Sequence, residues 1–116
     1  MQIMSLYQHV GIARFYYPGE TIFRQGDPAA EMYLVLEGAI EVQHPNRPAE
    51  IVGASSILGA QALLDGYRCD ATAIACEPVA LVPITAARFA LLIQQVPQFA
   101  FEVIRVLADH RQPHVP

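Results

Sequence analysis

The chain is short of cysteine, of charge and of long hydrophobic runs, and each shortage removes a class of protein. Its two cysteines, Cys69 and Cys76, make no disulfide framework, which points to a reducing compartment and a cytoplasmic protein. Seven residues apart, they would face opposite sides of a single strand, so no internal disulfide is expected. No apolar stretch reaches the ~18–20 residues of a membrane-spanning helix. The first ten residues carry neither the basic region nor the apolar core of an export signal. Charged residues are only 16% of the chain, the formal net charge is −4, and Lys/Arg nowhere cluster. A nucleic-acid binder needs a basic face, so that class is set aside. Catalytic and metal-binding patterns are equally scarce. Ser55-Ser56 has no evident His/Asp partner, and no His-x-His with a following Glu occurs. His110 and His114 have ligand-like spacing, but Pro113 lies between them. Neither an enzyme nor a metal site is expected.

What is present is apolar and periodic. Hydrophobic residues fill 53% of the 116 positions, which suits one packed domain over residues 1–116. A chain of this length buries about two-thirds of its unfolded surface. Residues 12–17 read as a strand that Pro18-Gly19 closes as a turn, with Gly where φ must be positive. Thr21–Phe23 is extended before a Gly26-Asp27 turn. Met32, Leu34 and Leu36 alternate with Tyr33 and Val35, predicting a strand, and Gly38 bends the chain into a second alternating run at 40–43. Two prolines and Asn46 make 44–48 a loop. Residues 51–52, 71–76 and 79–82 supply the remaining strands. Many short strands between turn signals predict a mainly β fold, a roll or barrel.

Two helices follow. Thr85 is a good N-cap, and Phe89, Leu92, Ile93 and Val96 fall on one face. Pro97 ends that helix and can occupy the first turn of the next. In the second helix Glu102, Arg105 and Asp109 gather on one narrow side. Phe99, Ala100, Val103, Ile104, Val106, Leu107 and Ala108 take more than half the circumference. Such an arc serves either packing on the barrel and the preceding helix, or a homodimer seam through this helix.

The stretch Leu58-Gly59-Ala60-Gln61-Ala62-Leu63-Leu64, then Arg68-Cys69-Asp70-Ala71-Thr72-Ala73, is the most informative. Gly59 precedes a run fit for one or two helical turns, whose free N–H groups and partial positive charge would face an anion. Upstream stand Pro18-Gly19-Glu20-x-Ile22-Phe23-x-x-Gly26-Asp27 and Met32-Tyr33-Leu34-Val35-x-Glu37-Gly38. In these three motifs, taken in order, the chain resembles the cyclic-nucleotide-binding domain over roughly residues 10–111. That domain is the sensor module of catabolite-activator-type regulators and cyclic-nucleotide-dependent kinases. The resemblance implies a double-stranded β-helix, a jelly-roll-like β-roll over about 11–83. It also implies a short N-terminal helix, a cassette helix, and two C-terminal helices over about 85–111. The implied ligand is a cyclic nucleotide or related small molecule, held by Leu58, Gly59, Ala60, Gln61, Ala62, Leu63, Arg68, Cys69, Asp70, Ala71 and Thr72.

The match is incomplete where the family grips its ligand. The family cassette reads Phe-Gly-Glu-Leu-Ala-Leu, a gap, then Pro-Arg-x-Ala-Thr. Ala60 stands where the family has the Glu that binds the ribose 2′-hydroxyl, and Gln61 takes a normally apolar position. Cys69 holds the place of the phosphate-pairing Arg, with Arg68 one position early. If this segment is extended, the shift aims Arg68 away from the pocket. A loop would let its long stem reach in, and pairing with Asp70 at the surface is the third alternative. Asp70 itself adds negative charge beside the anion. The expected function is a non-catalytic regulatory or sensor module that binds ordinary cyclic nucleotides weakly or not at all. The alternative is a ligand-free module for protein contact or dimerisation. Cys69 is either a small filler or a thiol activated by Arg68. The chain ends too soon after its last helix for the helix-turn-helix of the transcriptional relatives, so direct gene regulation is not expected.

Overall fold

Alternation of apolar residues, cut by turns, produces eight short strands among the residues that the computed structural model describes, 12–66 and 68–111. Side chains are described within that span except those of residues 102 and 106–111. The strands are β1 (Arg14–Tyr16), β2 (Thr21–Phe23), β3 (Glu31–Glu37), β4 (Ile40–Gln43), β5 (Glu50–Val52), β6 (Ile57–Leu58), β7 (Thr72–Ala75) and β8 (Val79–Thr85). They form two antiparallel sheets, ordered β1-β8-β3-β6 and β2-β7-β4-β5. Three helices lie among the described residues: α1 (Ala60–Asp65), α2 (Ala86–Gln95) and α3 (Pro97–Arg111). This is the mainly β, double-stranded β-roll with flanking helices that the sequence implies. The short N-terminal helix lies outside the described residues.

β3 carries the fold because both of its faces are buried. Tyr33 and Val35 join Ile40, Val42, Ala73 and Leu81 in a core between the two sheets. Met32 and Leu34 point the other way, into a second core with Val82, Ile84, Leu92, Phe99 and Val103. A strand covered on both sides reads as an unbroken apolar run, and its alternation then sorts side chains between two cores. Gly38, at the end of β3, has φ 95°, and a Cβ there would collide with the Pro78 carbonyl oxygen and Val79. Only glycine lets β3 turn that tightly against β8.

β8 runs three residues further than its apolar pattern suggests, through Pro83 to Thr85. Proline removes a ladder donor and belongs on edges. β1 pairs β8 only at Val79, Ala80 and Leu81, so by Pro83 that side of β8 has no ladder to lose. Thr85 then caps α2, its hydroxyl accepting from the Arg88 amide at 3.2 Å. α2 ends where the Val96 amide reaches the Leu92 carbonyl, and Pro97 opens α3. Leu92 is fully buried and Phe89 and Val96 pack beside it, whereas Ile93 of the same expected face is 38% exposed. Phe89 and Phe99 stack at a tilt, ring centroids 5.8 Å apart, and fasten the two helices together.

The broad apolar arc of α3 divides. Phe99 and Val103 are buried on the roll and α2, but Ile104 is 60% exposed, and Phe101, absent from the expected arc, is 72% exposed. Side chains 106–108, the rest of that arc, lie outside the described residues.

Candidate functional site

The cassette is built around a left-handed residue. β6 ends at Leu58, and Gly59 takes φ 76°, ψ 9°, a conformation that costs a side chain roughly 1–2 kcal/mol. A Cβ on Gly59 would meet its nearest neighbour, the Glu31 carbonyl oxygen, at an ordinary 3.5 Å. Conformation, and not close approach, is therefore what requires glycine here. The turn starts α1 at Ala60, so the amides of residues 60–62 have no partner within the helix. Ala60 and Leu63 are its buried residues, and Gly66, φ 74°, closes it.

The chain then returns along the β2–β3 turn. The Cys69 amide donates to the Asp27 carbonyl and the Gly26 amide to the Cys69 carbonyl, both at 2.8 Å. The Thr72 hydroxyl accepts from the Gln25 amide at 3.0 Å. These bonds, with an isolated bridge between Pro28 and Arg68, hold residues 68 and 69 extended before the chain bends at 70. Cys69 faces a cleft of about 120 Å³; Arg68 does not. The Arg68 guanidinium instead donates to the Gly26 carbonyl at 2.8 Å and makes no ion pair with Asp70. Of the three alternatives for Arg68, the extended one holds, and the guanidinium staples the turn.

The cleft assembles most of the expected residues. Leu58, Gly59, Ala60, Gln61 and Ala62 form one wall. Cys69, Asp70 and Ala71 form a second. Leu63 points into the helical core, and Arg68 and Thr72 serve the neighbouring turn. Below the cassette, Phe23 stacks on Tyr33 with centroids 5.6 Å apart, giving the floor a flat aromatic base. Burial pushes the Tyr33 hydroxyl up to about 12 and the nearby Glu31 carboxylate adds to it. The Cys69 thiol is also raised, first by burial and then by the charges of Asp27 and Asp70. It is thus a protonated filler at neutral pH, not a thiol activated by Arg68.

The third wall has no counterpart among the expected site residues. Phe23, Val42 and Ile57 contribute apolar surface, the loop after β4 brings His44 and Arg47 to the rim, and the first residue of β5 brings Glu50. His44 Nε2 lies 3.1 Å from Glu50 Oε1, and Arg47 Nη2 lies 3.3 Å from His44 Nδ1. Sequence reading took 44–48 as a plain loop because of Pro45 and Pro48. The usable signal was a His, an Arg and a Glu at intervals of three in a charge-poor chain. What puts them over the cassette is β4 pairing with β7 on one side and β5 on the other.

Two sheets of a β-roll, closed at one end by a glycine-started helical turn over a cleft, define a β-roll domain with a built pocket beside its cassette helix. The family model described as cyclic nucleotide-binding domain matches residues 13–96. The chain belongs to the cyclic nucleotide-binding domain family. It is 34% identical over 94 residues to a cyclic nucleotide-gated potassium channel of Rhizobium etli, covering 81% of this chain and 26% of the channel. It is 29% identical over 100 residues to the cyclic AMP receptor protein of Thermus thermophilus, covering 82% of this chain and 46% of the receptor. The crystal structure of the catabolite activator protein of Thermus thermophilus superposes with a TM-score of 0.75 at 26% identity, over 93% of this chain and 51% of that one. The chain thus spans about a quarter of the channel and about half of the regulators. Among the described residues no helix is long and apolar enough to cross a membrane.

Proposed function

We propose that this chain is a non-catalytic regulatory module, cytoplasmic and folded as one domain, whose cleft grips ordinary cyclic nucleotides weakly. The observation that carries the reading is the pair of small residues in the gripping positions: Cys69 and Ala60 line the cleft while Arg68 is committed to Gly26. A micromolar ligand is held by about −8 kcal/mol. A charge-assisted hydrogen bond contributes roughly 1.5–3 kcal/mol, and a bidentate arginine makes two. Without them, affinity falls by about two to four powers of ten, before the ribose contact is counted. The relatives named above, a gated channel and a receptor protein, favour a sensing role over a chemical one. Nucleic-acid contact by this domain does not fit a net charge of −4.

Calorimetric titration tests the reading. Cyclic AMP and cyclic GMP should bind no tighter than about 0.1 mM, and Ala60→Glu combined with Cys69→Arg should bring binding back toward the micromolar range. Low-micromolar binding by the unaltered chain would overturn it. A second reading, a module for self-association, is favoured by the exposure of Phe101 and Ile104 on α3.

A further inference from the structure

We infer that Arg47, held in place by His44, is the cationic end of the cleft, so that the site takes a small organic anion with its charge toward the β4–β5 loop. This rests on the reading that the cassette itself lacks a cation, and it names what the same cleft would bind. A guanidinium has only donors, so at 3.3 Å it must donate to His44 Nδ1. The imidazole proton then sits on Nε2 and is given to Glu50 Oε1, 3.1 Å away. The His44 side chain is only 10% exposed, so the ring is a fixed strut between the two charges. One of the five N–H donors of Arg47 is used on that strut, and the planar fork keeps others for a ligand oxygen.

Charge around the cleft has a direction. Among the described residues that line it, Arg47 is the sole arginine or lysine, and it lies on the loop wall. Asp70 stands on the cassette wall, where an anion would be expected in the family. A ligand charge is repelled at that end and attracted at the other. Glu50 is separated from Arg47 by the width of the imidazole, so it orients the strut more than it neutralises the fork. Phe23, Val42 and Ile57 add apolar lining to the same cleft, suited to a flat ring. The Gln61 side chain, also in the lining, can serve hydroxyl or carbonyl groups. The chemistry that fits is a ring-bearing molecule with a terminal phosphate or carboxylate. A cyclic diester, whose single charge is tied back to the sugar, fits less well.

Nitrogen-15 correlation spectra of the full chain, with the arginine Nε–H signals included, can be followed during titration with 5′-AMP, cyclic AMP and adenosine up to about 10 mM, a range that captures millimolar dissociation constants. We expect 5′-AMP to bind more tightly than cyclic AMP, and adenosine least. Shifts should fall on Arg47, on residues 60–62 and on Asp70. Arg47→Gln should weaken 5′-AMP by about tenfold or more, the loss of one or two charged hydrogen bonds, while Arg88→Gln on α2 should leave it unchanged. Asp70→Asn should tighten binding. Equal affinity in Arg47→Gln, adenosine matching 5′-AMP, or no shift with any probe would each sink the inference. Low-micromolar cyclic AMP binding by the unaltered chain would instead strike the weak-cassette reading, so the two failures are told apart.

Discussion

Tyr33 sits where three demands meet: its ring lies under the cassette glycine, stacks on Phe23 and belongs to the core between the sheets. Its hydroxyl is 3.5 Å from Glu31 Oε1, which favours the protonated phenol. An acid whose pKa is higher folded than unfolded stabilises the fold in full below its unfolded pKa and loses that contribution as pH rises. For Tyr33 the window runs from the ordinary tyrosine value of 10.0 to about 12. The contribution lost across it is at most about 2–3 kcal/mol by the pKa-to-energy conversion, reduced by solvent screening of the hydroxyl. Cys69, also raised, acts in the same direction from the ordinary thiol range upward. We predict that denaturant midpoints fall through this alkaline window. Tyr33→Phe should remove most of the fall above pH 10, a comparison that cancels the Cys69 part. A variant with the same alkaline slope as the unaltered chain would refute the assignment.

Among elements, the junction of β8 with α2 fixes how the helices lie on the roll. A single residue, Thr85, ends the strand, pairs with Glu31 and caps the helix through its hydroxyl. Loss of an N-cap costs about 1 kcal/mol. Thr85→Ala should therefore lower stability by about that much in chemical denaturation, and Thr85→Ser should recover most of it; equal values for all three would mean that the cap is idle. The same junction explains why Pro83 is harmless inside a strand. β8 has outrun β1 there, and its remaining partner β3 is bonded on the other side. The cassette helix is the contrasting case. With six residues it cannot stand alone, and it is held by Ala60 and Leu63 inserted beneath it and by Gly59 before it.

For the whole molecule, α3 decides between the two readings of function. Steps of about 100° per residue put Phe101 and Ile104 on the side away from Phe99 and Val103. The inner pair is buried and the outer pair faces solvent. If the outer face is a dimer seam, sedimentation at tens of micromolar should give a dimer, and Ile104→Glu should give a monomer with unchanged circular dichroism. A monomer at all concentrations for the unaltered chain would remove self-association as its role. The roll, the helix order and the cap at Thr85 were legible in the sequence, because alternation and punctuation are local signals. The extended geometry at Arg68 was legible as one of three alternatives. What selects it is a pairing with residues 26–28, far away along the chain.

Sequence by itself determined the class of domain and that residues 60 and 69 are an alanine and a cysteine, the pair on which the proposed weak grip rests. It also determined that the chain has two apolar faces to bury along β3. Only the tertiary structure decided which side chains share the cleft. Leu63 and Thr72, next to cleft residues in the chain, point elsewhere, while His44 and Arg47 arrive from the loop after β4 and Glu50 from the start of β5. The physical reason is that a strand period of two fixes which face a residue takes, but sheet pairing between distant segments fixes what that face meets.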